Sequence, residues 1–529
     1  MMKTLALILL ICVTISCKKA EITSEVILKK EISNPVVLPE DKSIRIDSAL
    51  LTSFNSKTLS AFYKATNYRT IWQSKENRKI ILAELLKSDE EGLNPEDYKV
   101  KILSDFEKKS ATLDETDLAK YDILLTSSFQ KYISHLTNGK LNPRKLYKNW
   151  DLKENYIDIN EILTDLLNND SLADKIEQLK PNHIVYKKLK KALRLLNTLP
   201  KDNFNALKIE QIISPNDTNI SIIDIKKRLI YWKELQLNDS LTSIYNEETM
   251  LAIKKFQNRH GLAVDGIIGP ATIASLNFSK KQHMQQIIVN LERWKWYPKE
   301  MGKEYIIINI PDYRLSLIKD KDTLRTHRVI VGRAKRKSPI LSSKLTQVVF
   351  NPTWTVPPTI LREDVIPAIL KNRSYLAESN IKIYDRNGGI VSPYEWQLSQ
   401  AKSYRYVQSP GTFNSLGMVK IIFPNRFSVY LHDTNHRDYF DKIDRSLSSG
   451  CVRVDNPLEL TEYLLDDDIN WNLEKITEIL QSEKTKFVKI KKEVSFHLLY
   501  WTAWSENNKL IFRDDIYNLD ADLYTKLRN

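Results

Sequence analysis

SSGCVRV, residues 448–454, sets a cysteine directly after a glycine and two residues before an arginine. The chain has three cysteines, and Cys451 is the one that lies beyond residue 17. A cysteine nucleophile needs a base to take its proton and donors to face the developing oxyanion. Both are readable nearby. His432 lies in YLHDT, residues 430–434, where it closes the strand candidate FSVYL and is held rigidly. Gly450 permits an unusual backbone angle and close approach of a substrate. If 451–453 is extended, Cys451 and Arg453 project to one face. Arg453 then offers a carboxylate two parallel hydrogen bonds. A thiolate beside an imidazolium has a lowered pKa. Two plainer readings compete. A lone cysteine is usually a small buried hydrophobe. His432 and His436 are spaced as metal ligands on a helix are. But His432 closes a strand, there is no HExxH, and no third ligand stands near. The expectation is a site without metal or cofactor.

Around this stretch the apolar residues alternate. EYIIINIPDYRLSLI (304–318), HRVIVGR (327–333), TQVVFNPTWTVPP (346–358), MVKIIFP (418–424) and FSVYLHD (427–433) read as strands. They predict a mostly-β domain over 304–465, with a long insertion at about 358–404 where the strand signal lapses. Residues 466–529 form a C-terminal extension, with a hairpin turning near Asn507-Asn508. Upstream, 46–219 is helical. Val185, Leu189, Leu193 and Leu196 make an apolar stripe ending before Pro200, and Ile123, Phe129, Ile133 and Leu136 make another stopped by Asn138-Gly139. Residues 220–280 hold a small three-helix module. There Gly261, Gly266 and Gly269 punctuate turns and Pro270 opens the third helix. Residues 281–303 connect the module to the strands. The expected class is multidomain α+β.

The chain has 529 residues, enough for about three or four domains. Its charge of +14, from 80 basic and 66 acidic residues, is spread along the chain. With no nucleic-acid motif present, that reads as a soluble basic protein without a nucleic-acid partner. The N-terminus carries a leader: Met1-Met2-Lys3, then an apolar run from Leu5 to Ile15. The run is too short to span a bilayer. It ends in Thr14-Ile15-Ser16-Cys17 and resembles a bacterial lipoprotein signal, although Thr14 stands where an aliphatic residue is commoner. That resemblance implies cleavage after residue 16, lipid on Cys17, a tether over 18–45, and an exported protein anchored in the periplasm, at the outer membrane of a Gram-negative cell. Cys12 would leave with the leader, so Cys451 would be the one free thiol in an oxidising compartment. No later segment is apolar enough to cross a membrane.

Two resemblances carry the functional expectation. AIKKFQNRHGL (252–262) followed by VDGIIGPAT (264–272) resembles the peptidoglycan-binding domain of cell-wall enzymes. YLHDT with RSLSSGCVRVDNP (445–457) resembles the signature of the L,D-transpeptidases. Ser449 stands where many members have histidine, which points to the large multidomain branch. SPGTFNSLG (409–417), FNPTWTVP (350–357), NLERWKWYP (290–298) and EGLNPEDY (91–98) match that branch as well. The resemblance implies a helical scaffold domain, a peptidoglycan-binding module and a catalytic β-domain with a capping insertion. It makes Cys451 the nucleophile and His432 its base, with Gly450, Ser449 and the flanking backbone supporting the oxyanion. Arg453, Tyr384, Trp396, Trp354 and Asn414 would contact substrate, although local packing explains Tyr384 and Trp396 equally well. It further implies a tetrapeptide donor stem, release of D-alanine, a 3→3 cross-link, and acylation of Cys451 by carbapenems. Two rivals are weaker. Papain-like enzymes place the cysteine before the histidine, the reverse of this order. A non-catalytic wall anchor would not need the Cys451–His432–Arg453 set.

Overall fold

The structure, a computed structural model, describes residues 43–154, 157–168, 171–236, 241–466 and 471–529. The leader with Cys17, and the tether as far as residue 42, lie outside the described residues. The N-terminal helices begin where the sequence supplies caps. Asp47, Ser56, Ser74, Asp114 and Asp158 each turn a side-chain oxygen to a first-turn N–H, satisfying donors that the helix itself cannot. Leu59, Phe62, Leu85, Leu125, Phe129, Ile133 and Ile176 are fully buried in one core. The helix Glu115–Asn138 stops at Gly139, whose φ is +80°. A side chain there would collide with Trp296 and Glu292. The stop is therefore also a close approach between two regions.

The stripe on helix Ile184–Asn197 does not join that core. Tyr186, Leu189, Leu193 and Leu196 enter a larger one, shared with the three-helix module and the sheet. Periodicity identified the buried face; only the tertiary fold decided what covers it. The module's helices are Ser221–Tyr231, Glu247–Arg259 and Pro270–Leu276.

Among the described residues, twelve strands form one large sheet. In chain order they are β1 (Trp150–Asp151), β2 (Glu304–Asn309), β3 (Arg314–Lys319), β4 (Asp322–Gly332), β5 (Ile340–Lys344) and β6 (Gln347–Phe350). After the insertion, whose strands are β7 (Trp354–Thr355), β8 (Ile381–Tyr384), β9 (Ile390–Val391) and β10 (Arg405–Gln408), come β11 (Val419–Ile422), β12 (Leu431–His432), β13 (Ser446–Ser448), β14 (Val452–Val454), β15 (Lys486–Lys489) and β16 (Ser495–Leu499). The spatial order is β1-β5-β16-β2-β3-β4-β14-β12-β11-β6-β15, with β13 beside β4. The sheet runs past the 304–465 range expected for it. Strand β1 comes from the helical region, and β15 and β16 come from the C-terminal extension. The extension also forms the expected hairpin, β17 (Ala503–Glu506) with β18 (Lys509–Phe512), whose turn sets Asn507 and Asn508 at positive φ.

The insertion is a folded layer of its own. Its strands pair in the order β7-β10-β8-β9, over a core that includes Val356, Ile369, Leu376, Ile383 and Tyr406. Trp396, expected to line a substrate groove, lies inside this core. It is 2% exposed and donates its indole N–H to the Tyr406 hydroxyl at 2.6 Å. An indole on a wet protein surface and one in a small core look alike in sequence.

The helix Lys280–Trp296 joins these parts and is buried on every side from Gln286 to Trp296. Its charged and polar groups take partners from distant segments. Arg293 pairs with Asp520 at 2.6 Å, Asn290 bonds Thr502, Glu292 accepts from the Leu141 N–H, and Lys295 donates to the Glu91 carbonyl.

Among the described residues, six imidazoles held below their ordinary pKa shape the acid response of this fold, His135 and His183 among them at about 4 through burial. Burial holds the pKa of His283 and His432 down to about 3, pushes His260 well below its ordinary value, and lowers His497. Each gains a proton on unfolding, so its stabilising effect is complete above about pH 6.5 and is lost as pH falls below that. Between pH 7.5 and 5.5 each of those held near 3 or 4 should cost about 1 kcal/mol. Asp122 and Asp520, raised by burial to about 6, oppose this by somewhat less apiece. Urea denaturation should therefore show a lower midpoint at pH 5.5 than at 7.5. An unchanged or higher midpoint would contradict the assignment.

Candidate active site

The pairing of β11, β12 and β14 builds the site. Parallel pairing sets His432 opposite Arg453, and antiparallel pairing sets Lys420 opposite His432. Side chains in register share a face, so these three form one row across three strands. One step along, the Val452 N–H donates to the Tyr430 carbonyl and brings Tyr430 beside Cys451. The alternate residues Ile421, Leu431, Val452 and Val454 are 0–1% exposed and turn into the core. Their burial leaves the polar row one orientation.

A braced loop presents Cys451. Gly450 has φ +115°, a conformation closed to other residues without strain. The Ser448 hydroxyl accepts from the Gly450 N–H at 3.1 Å and donates to the Cys451 carbonyl at 2.6 Å. Ser338 donates to the Gly450 carbonyl at 2.8 Å, and Tyr517, from the C-terminal extension, accepts from the Ser338 N–H at 3.0 Å. The Gly450 N–H is thus turned inward. The Cys451 N–H takes part in none of these bonds, so it is the better-placed donor for an oxyanion. Ser449 is exposed and accepts from Arg336 at 2.8 Å. That same guanidinium is paired with Glu363 and Asp364 of the insertion.

At rest the pair is neutral. Burial pushes the Cys451 thiol up, against weaker opposite pulls from Tyr430, Lys420 and Arg453. Burial, and then the Arg453 charge, hold His432 down to about 3. The thiolate–imidazolium pair expected from the sequence is not the ground state of the ligand-free site, because desolvation outweighs mutual attraction. His432 Nδ1 is buried without a hydrogen-bond partner, as are Nε and Nη1 of Arg453. Asp433, adjacent in sequence, does not orient His432 through its carboxylate. That group accepts from Arg437 and from the Met418 N–H at 3.0 Å each.

The remaining expected contacts divide. Trp354, on β7, lies near the Tyr430 hydroxyl, whose electrostatics it affects. Asn414 is 1% exposed and braces its own loop, donating to the Pro352 and Ser409 carbonyls at 2.9 Å each. It is not available as a substrate ligand. Tyr384 lies on β8 with the Arg405 guanidinium 5.0 Å from its ring centre, within the insertion. Sequence reasoning missed Tyr430. Register sets it beside Cys451, and its ring lies 3.8 Å from the Lys420 ammonium. Alternation was the available signal, since Tyr430 stands two residues before His432.

Three family models match successive parts of the chain. Residues 57–193 match the model of a scaffold domain, 219–276 that described as "Putative peptidoglycan binding domain", and 303–479 that of the L,D-transpeptidase catalytic domain. A Haemophilus influenzae protein named "Putative L,D-transpeptidase" is 35% identical over 242 residues, which is 45% of this chain and 49% of that protein. The chain thus spans about half the length of the curated relative it matches. Among solved structures, the L,D-transpeptidase (residues 123–326) of Xylanimonas cellulosilytica is 14% identical with a TM-score of 0.18, covering 55% of this chain and all of that one. The L,D-transpeptidase of Stackebrandtia nassauensis is 10% identical with a TM-score of 0.21, covering 54% and 94%. Overlays at these scores carry no argument about this chain.

Because its pKa is held near 3, His432 should remain neutral from pH 5 to 8 in the ligand-free protein. Imidazole nitrogen NMR shifts should show no titration of His432 in that range. A midpoint near 6.5 would contradict the burial argument.

Proposed function

We propose that this chain, which carries a scaffold domain, a peptidoglycan-binding module and an L,D-transpeptidase catalytic domain in that order, forms 3→3 cross-links between peptidoglycan stems. The observation that carries the reading is the single β-face on which Cys451, His432 and the unpartnered guanidinium of Arg453 meet.

The cycle follows from that face. A tetrapeptide donor stem places a carboxylate on Arg453, which offers Nε and Nη1. Binding cancels much of the charge that repels a proton from His432. The imidazole becomes a stronger base only when substrate is present. The thiol proton moves to His432, and Sγ attacks the carbonyl of the L-centre preceding D-alanine. The Cys451 N–H faces the oxyanion. The C–N bond breaks, D-alanine leaves with the proton from His432, and an acyl thioester remains. The side-chain amine of a second stem resolves it, giving the cross-link and restoring the thiol. Water in place of the amine would trim the stem, and a D-amino acid would exchange. Carbapenems would acylate Cys451 by the same attack. The leader reading adds lipid on Cys17, export and anchoring in the periplasm.

Mass spectrometry of the purified chain with tetrapeptide muropeptides tests this, with Cys451→Ala alongside. D-alanine release together with a 3→3 dimer, both absent in the variant, is the expected result. Release without dimer would replace cross-linking by trimming. No release and no thioester, in a folded protein that still binds sacculi, would make it a wall anchor. Arg453→Met should raise KM for the donor by about tenfold or more, with Arg453→Lys intermediate. An unchanged KM would remove Arg453 from substrate binding.

A further inference from the structure

Lys420 belongs to no signature stretch by which the site was recognised. Its position on β11 is nevertheless tied to the site by register. It lies opposite His432, in the row that ends at Arg453. Its ammonium rests 3.8 Å from the centre of the Tyr430 ring, and register sets Tyr430 beside Cys451. Tyr430 thus neighbours both the cation and the thiol. Among the described residues no hydrogen bond or salt bridge holds the Lys420 ammonium. Lys226, by contrast, donates to the Thr242 and Ile244 carbonyls and the Thr242 hydroxyl.

The charges around Cys451 can be followed strand by strand. Tyr430, just before β12, and His432, on β12, lie on its face, with Lys420 on β11 and Arg453 on β14. Tyr439, from the segment between β12 and β13, acts on Arg453. No carboxylate is among the groups that act most strongly on the thiol. The site therefore holds two cations without an anion. On the proposed reaction, Arg453 is neutralised by the substrate carboxylate at the moment the thiolate must form. Lys420 is then the cation left to face the new negative charge.

We propose that Lys420 is the charge-positioning residue of this centre, whose ammonium, seated on Tyr430, stabilises the Cys451 thiolate. The proton still passes from Sγ to His432 and the electron pair stays on sulfur; Lys420 exchanges no proton. Burial lowers its own pKa while Cys451 raises it, as a cation close to a forming anion requires. The role rests on the proposed nucleophile but not on the identity of the acceptor.

Alkylation of the folded protein by iodoacetamide, a neutral reagent, tests it without any turnover. The rate is read on the Cys451 peptide by mass spectrometry, so Cys12 and Cys17 do not interfere. Lys420→Met and Lys420→Gln should each slow alkylation at pH 7 about fivefold or more and move the pH profile upward. Lys420→Arg should restore most of the rate. An unshifted profile in both neutral variants would overturn the proposal. So would a loss that Arg does not restore, which would assign Lys420 to packing on Tyr430. A lysine-dependent profile with no D-alanine release would leave this inference standing and remove the proposed cross-linking.

Discussion

A helix buried on all sides has to bring partners for every charge it carries into the core, because an unpaired charge there costs several kcal/mol. The helix Lys280–Trp296 meets that constraint with groups from three directions. The scaffold supplies the Glu91 carbonyl, the segment after helix Glu115–Asn138 supplies the Leu141 N–H, and the C-terminal extension supplies Thr502 and Asp520. None of these segments reaches its position independently of the others. The regions recognised separately in sequence are joined here by obligatory polar contacts rather than by a slack linker.

The active face depends on the same assembly. β15, at one edge of the sheet, and β16, between β5 and β2, follow Cys451 in the chain, and Tyr517 reaches Ser338, which holds the Gly450 carbonyl. The C-terminal extension is thus part of the support for the Cys451 loop. The insertion is also tied to the loop, because Arg336 bonds both Ser449 and the acidic pair Glu363 and Asp364. The loop is held from the sheet side by Ser338 and from the insertion side by Arg336.

The electrostatics are those of a site that waits for an anion. Burial discourages charge on Cys451 and His432 alike, while the Arg453 guanidinium has two nitrogens without partners. On the proposed reading, a carboxylate would reverse this balance more readily than a change of pH, since it would remove the second cause of the depressed His432 pKa. Coupling activation to occupancy, on the proposed reading, would keep the Cys451 thiol unreactive until substrate arrives.

How much of this was legible depends on the range of the interaction. Cys451, His432, Gly450 and Arg453 were readable because residue type, strand alternation and a glycine are local facts. The stop at Gly139 and the Asn507-Asn508 turn were readable for the same reason. Trp396 and Asn414 were assigned to substrate and lie instead in a small core and a loop brace, since an aromatic or an amide does not announce what surrounds it. The stripe of helix Ile184–Asn197 showed a buried face but not its cover. Lys420 and Tyr430 entered the site through register, which pairs residues far apart in the chain. Sequence by itself determined the chemistry on offer and the strands that carry it, because side-chain type and period are written residue by residue. Tertiary structure alone decided which groups meet and which stay neutral, because pairing and desolvation depend on neighbours that the chain brings from hundreds of residues away.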